Sequence, residues 1–76
     1  MRTDYPERYC LLGLKISYYR KKAGYTQEEL AEKIDKSLNF LGSVEAPNML
    51  AGISLETLFK IADVLGIEPS KLLEAD

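Results

Sequence analysis

The side chains that most often carry out chemistry are scarce in this chain. Histidine is absent, and Cys10 is the only cysteine. A zinc site of imidazole and thiolate ligands therefore has nothing to be built from, and no disulfide can close within the chain. No nucleophile has an activating base beside it. The adjacent acids Glu28 and Glu29 read better as first-turn helix residues, favoured by the helix dipole, than as an acid–base pair. Tyr5, Tyr9, Tyr18, Tyr19 and Tyr25 imitate a stacking platform, but their spacing fits helix packing and surface positions. The sequence therefore predicts no enzyme, no cofactor and no metal, and points to binding instead. The densest cluster for that purpose is Arg20-Lys21-Lys22. It can attract an anionic partner, or simply complement the dipole at a helix end.

Seventy-six residues make one small domain, spanning 1–76. Apolar residues are 46% of the chain, enough for a packed centre, and the net charge is −2. Charge is unevenly spread. Residues 15–36 carry six basic side chains against four acids, whereas residues 37–76 carry two against six. An acidic total does not exclude a nucleic acid, because the field at the docking face decides. A single cysteine fits a reducing, cytoplasmic setting. No apolar run approaches the ~20 residues of a membrane span. The N-terminal residues carry no apolar signal core, so a secretory leader is not expected.

The binding residues must be positioned by helices, because no segment alternates with a period of two. Asp4 and Glu7 have the spacing of a capping box for a first helix, with Pro6 in its first turn. Tyr9, Leu12, Ile16 and Tyr19 form its inward stripe. Gly13 weakens that helix or lets another element approach closely, and Gly24 ends it in a left-handed conformation. Thr26 and Glu29 form a second capping box, opening a short helix with Leu30, Ala31 and Ile34 inward. After a tight break at Asp35-Lys36, Ser37 caps a third helix running to about Glu45, with Leu41 and Val44 inward. Pro47, Asn48 and Gly52 mark a loop. Ser54 caps a fourth helix to Leu65, with Leu55, Leu58, Phe59, Ala62 and Leu65 as its expected buried face and Gly66 as its stop. Pro69 starts a fifth helix, Ser70 to about Glu74. The expectation is an all-α fold of five helices.

Helices two and three are each about two turns long, lie three or four residues apart, and have the small Ala31 where their axes would cross. That is a helix-turn-helix arrangement. The run from Ile16 to Ile34, with Ser37, Leu41, Val44-Glu45 and the run from Ser54 to Ile67, strongly resembles the phage lambda-repressor/Cro-like (XRE-type) family. The resemblance covers residues 11–73, with 1–10 as an N-terminal extension of helix one. It implies a five-helix lambda-repressor-like domain. It also implies a sequence-specific transcriptional regulator, by expectation a repressor, that binds double-stranded DNA as a homodimer at an inverted-repeat operator. With no ligand or multimerisation domain in evidence, the expected form is minimal and Cro-like.

The resemblance assigns roles residue by residue. Gln27 matches a glutamine that holds a phosphate at the start of helix two; its other reading is a part of the helix cap. Arg20 and Glu45 match a partly buried ion pair that fixes helix three against helix one. Leu38, Asn39 and Ser43 match positions facing base edges, flanked by Phe40 and Gly42. Asn39 is the best direct reader, since its amide can bond adenine N6 and N7 together; it can also serve local backbone. Leu38 can meet a thymine methyl or pack against the following loop. Phe40 is large for its place and fits burial better than base contact. Lys36 and Ser37 complete the DNA-facing set, and Lys21, Lys22 and Lys33 are phosphate partners by charge alone. Ile67, Leu72 and Leu73 are the expected dimer surface.

This sequence also departs from the family pattern. Helix three has no Arg, Lys or Gln to read guanine. Asp35 stands where glycine is favoured, and Lys36 replaces an apolar turn residue. The loop from Ala46 to Ile53 is about two residues longer than common, and Met49, Leu50 and Ile53 replace basic residues. A second class of function follows from these features: a protein-interaction module, antitoxin-like or adaptor, with a protein partner at the Met49-Leu50 loop.

Overall fold

The computed structural model describes residues 2–46 and 51–74. Five helices follow in order: α1 (Pro6–Lys22), α2 (Gln27–Lys33), α3 (Leu38–Glu45), α4 (Leu55–Leu65) and α5 (Pro69–Leu73). No strand occurs among the described residues. Pro47 and Asn48, expected to mark a loop, lie outside them, as do Met49 and Leu50.

The helix ends follow local chemistry closely. Thr26 Oγ1 accepts the Glu29 N–H at 3.1 Å, and the Glu29 carboxylate accepts the Thr26 N–H at 2.8 Å, which completes the capping box. The Thr26 backbone N–H, and after it the Thr26 hydroxyl, holds the Glu29 carboxyl below its ordinary pKa. Its contribution to stability is therefore present at neutral pH and is lost as pH falls through that lowered value. Ser37 Oγ accepts the Phe40 N–H at 3.0 Å, and Ser54 Oγ accepts the Thr57 N–H at 3.1 Å. Gly24 and Gly66 take φ of 86° and 70° at the ends of α1 and α4.

The start of α1 differs from expectation. Tyr5, not Asp4, occupies the cap position, and no side chain caps the helix. Pro6 is the reason. A proline disfavours helical geometry in the residue before it, so the helix begins at Pro6 and leaves Asp4 one residue too far out. Thr3 Oγ1 accepts the Tyr5 N–H instead, at 3.0 Å.

The core is formed by Ile16 of α1, Leu30 and Ala31 of α2 with Ile34 after it, Leu41 and Val44 of α3, Leu58, Ile61, Ala62 and Leu65 of α4, and Leu72 of α5. Leu12 and Tyr19 pack against it from α1. Two expectations need correction here. On α4, Leu55 and Phe59 are exposed, at 66% and 51%, while Ile61 is fully buried. At 100° per residue, Leu58, Ile61, Ala62 and Leu65 form one stripe, and Leu55 and Phe59 fall beyond its edge. On α5, Leu72 is a core residue at 1% exposure, not a surface residue, whereas Leu73 is 61% exposed. Ile67 is half-buried.

Asp35 adopts φ 59° after α2. Its N–H donates to the Glu32 carbonyl, and the Lys36 N–H donates to the Ala31 carbonyl at 2.9 Å, the paired bonds of a left-handed helix stop. A non-glycine residue there costs about 1 kcal/mol, at the low end for Asp. Asp35→Gly is therefore expected to raise the thermal midpoint by a few degrees, after the greater chain entropy of glycine is subtracted. A midpoint unchanged or lowered in a circular-dichroism melt would show that the Asp35 side chain itself offsets the strain.

Candidate nucleic-acid interface

The turn between α2 and α3 is short and fully specified. The left-handed Asp35 stops α2, and Ser37 caps α3 two residues later. Ala31, 2% exposed, lies in the core shared by the two helices, which pack against each other. A larger side chain would force them apart. α3 turns Leu41, Val44 and Glu45 inward. Its other side carries Leu38, 47% exposed, and the exposed Asn39, with Gly42 and Ser43 half-exposed one turn later. That ridge contains one carboxamide, one hydroxyl, one branched alkyl group and one bare backbone position.

α3 is anchored from behind by a buried polar cluster. Arg20 Nε donates to Glu45 Oε2 at 2.8 Å, and the second guanidinium arm donates to Glu45 Oε1 at 2.9 Å. The remaining arm donates to the Tyr25 carbonyl at 2.8 Å. The two charged side chains are only 9% and 4% exposed. The guanidinium is planar and the carboxylate is met at both oxygens, so the pair fixes orientation as well as distance. It ties the end of α1 to the end of α3.

Gln27 joins this cluster. Its Nε2 donates to Glu45 Oε1 at 3.1 Å. A carboxamide nitrogen carries two hydrogens, so one is committed inward and the second points away from Glu45. Sequence reasoning did not find this bond, nor the Tyr25 carbonyl as an acceptor for Arg20. The signal for the second was local: Gly24 reverses the chain and brings Tyr25 back over the last turn of α1, where its N–H donates to the Arg20 carbonyl at 3.1 Å.

α3 itself carries no cation. Lys36 is exposed and its Nζ stands 5.4 Å from the Phe40 ring centre. Phe40 is half-buried and packs against the core. Lys33 Nζ lies 5.6 Å over the Tyr25 ring, and Lys22 Nζ 5.9 Å over Tyr18. Each ammonium is drawn to a ring face while its tip stays near water.

The geometry of two short helices joined by a tight turn, with the second one outward and locked from behind, matches known proteins. A helix-turn-helix family model matches residues 16–72. The chain belongs to the XRE-type helix-turn-helix family. The HTH-type transcriptional regulator SinR of Bacillus subtilis is 36% identical over 64 residues, a stretch covering 84% of this chain and 57% of SinR. The chain thus spans little more than half the length of that relative. Among solved structures, the restriction-modification controller protein C.AhdI from Aeromonas hydrophila has a TM-score of 0.77 at 30% identity, over 84% of this chain and 94% of its own. SinR, described as a master regulator for biofilm formation and solved in complex with DNA, has a TM-score of 0.75 at 36% identity, over 83% of this chain and 98% of its own. What this chain shares with these proteins is the helix-turn-helix domain itself. No helix among the described residues is long and apolar enough to cross a membrane.

Proposed function

We propose that this chain regulates transcription, as a repressor, by placing α3 in the major groove of an inverted-repeat operator as a homodimer. The observation that carries the reading is the ridge of Leu38, Asn39, Gly42 and Ser43. It is held outward by α2 and fixed from behind by Arg20 and Glu45. Asn39 has a donor for the adenine N7 acceptor and an acceptor for the adenine N6 donor. The second hydrogen of Gln27 Nε2, with Lys36 and Ser37 beside the ridge, serves the phosphates.

Size supports a dimer. The domain measures 30 × 25 × 20 Å. Successive major grooves on one face of DNA lie about 34 Å apart, a spacing that leaves room for one copy of this size at each groove. Ile67 and Leu73 remain available for contact between the copies, and the exposed Leu55 and Phe59 add apolar area on α4. The same exposed residues, with the acidic second half of the chain, favour the second reading, a protein-interaction module.

Selection of binding sequences from a random duplex pool, run at two salt concentrations, separates the two. Enrichment of a two-fold symmetric sequence, weakened steeply at the higher salt, is the expected outcome. Asn39→Ala should lose the enriched sequence by ten-fold or more while its circular-dichroism spectrum and melt stay unchanged. Folded protein that enriches nothing at low salt would overturn the DNA reading in favour of a protein partner.

A further inference from the structure

We infer that the half-site is read as A·T base pairs, with the thymine 5-methyl group recognised directly by Leu38. This rests on the DNA-docking reading above and names what that surface recognises. Leu38 and Asn39 are the first two residues of α3, immediately after the Ser37 cap. In a helix that enters the major groove, this is the turn that reaches base edges. Leu38 is 47% exposed and stands beside the exposed Asn39 rather than in the core. Consecutive helical residues are separated by about 1.5 Å of rise and 100° of rotation, so the two side chains reach neighbouring base pairs rather than the same one.

The chemistry of the ridge then selects the bases. α3 holds no Lys, Arg or Gln, so the side chains that pair with guanine O6 and N7 in two bonds are missing from this helix. Asn39 supplies the matching pair for adenine. Of the four bases only thymine offers a hydrophobic group in the major groove, and Leu38 is the only exposed large apolar side chain of α3. Gly42 deepens the fit. It lies one turn along the helix from Leu38, and a Cβ built there meets no other part of the protein within 4 Å, so the bare backbone leaves room for a base edge.

The test is two parallel selections with the purified protein. One uses an ordinary random duplex pool, and the other a pool amplified with deoxyuridine in place of thymidine, which removes the methyl and nothing else. The ordinary pool should enrich A·T pairs at the centre of each half-site, and the uracil pool should enrich them weakly or not at all. The enriched duplex, remade with single T-to-U changes, should bind about four-fold more weakly for the critical methyl in each half-site, as read by fluorescence anisotropy. Leu38→Ala should weaken the thymine duplex by a similar factor and then bind thymine and uracil duplexes equally. Its melt should remain close to wild type, because the side chain is exposed. Enrichment of the same sequence from both pools, a G·C-centred half-site, or retained methyl discrimination in Leu38→Ala would each overturn the inference while leaving DNA docking intact. No enrichment from either pool would overturn the docking reading, and this inference with it.

Discussion

Replacing Gly13 with alanine should destabilise the protein by about 3 kcal/mol and lower its thermal midpoint by roughly 15 °C. The sign is the informative part. In the middle of a helix, glycine to alanine normally stabilises by about 0.5–1 kcal/mol. Here the new methyl would strike the Val44 carbonyl oxygen, 3.2 Å from the Val44 carbonyl carbon and 3.4 Å from the Glu45 Cα. These are backbone atoms of the last turn of α3, so no side-chain rotamer can relieve the contact. Either α1 and α3 separate, which opens the core around Ile16 and Leu41, or α3 shifts relative to α2. Gly42→Ala is the matched control. It is the same substitution, on α3 itself, and its methyl meets nothing within 4 Å. It should stabilise the free protein by the usual 0.5–1 kcal/mol. Opposite signs in chemical denaturation would establish that α1 and α3 touch through Gly13. A stabilised Gly13→Ala would mean that the two helices pack less closely than the structure places them.

What the sequence made legible divides along a physical line. The caps at Thr26, Ser37 and Ser54 and the left-handed stops at Gly24 and Gly66 were readable because each depends on neighbours within about four residues. The approach at Gly13 was readable as one of two alternatives, and the structure identifies the approaching element as the end of α3. The false capping box at Asp4 shows the limit of a spacing rule: Pro6 moved the boundary by one residue, and the box lost its geometry. The face of α4 failed for a different reason. Leu55, Leu58, Phe59, Ala62 and Leu65 satisfy helical spacing as well as Leu58, Ile61, Ala62 and Leu65 do. Only the position of α1, α2 and α5 around α4 chooses between them. The same holds for Leu72 and Leu73, adjacent leucines on a five-residue helix that about 100° of rotation would exchange. At the interface, the resemblance named Arg20 and Glu45, but Gln27 is 18 residues from Glu45 in sequence and meets it only in the folded protein.

That cluster gives the second large effect. Glu45→Ala should destabilise the protein by about 3–5 kcal/mol, because it strands the Arg20 guanidinium in a site where its side chain is 9% exposed. For a domain of this size such a loss is a large part of the total, so the measurement belongs in urea at low temperature, where the folded baseline survives. Arg20→Lys is the diagnostic partner. It keeps the charge but cannot meet both Glu45 oxygens and the Tyr25 carbonyl from one plane, so it should still lose on the order of 2 kcal/mol. The double variant Arg20→Met with Glu45→Leu should lose far less than the sum of its single changes, since no charge is left buried and the volume is filled. Its DNA affinity separates anchoring from folding. With Glu45 gone, the Gln27 carboxamide loses its partner and α3 loses its tether to α1. A stable double variant that binds DNA weakly would show that the pair exists to hold α3 in register. A double variant that loses the full sum of the single effects would show that the two side chains act by separate packing rather than as a pair.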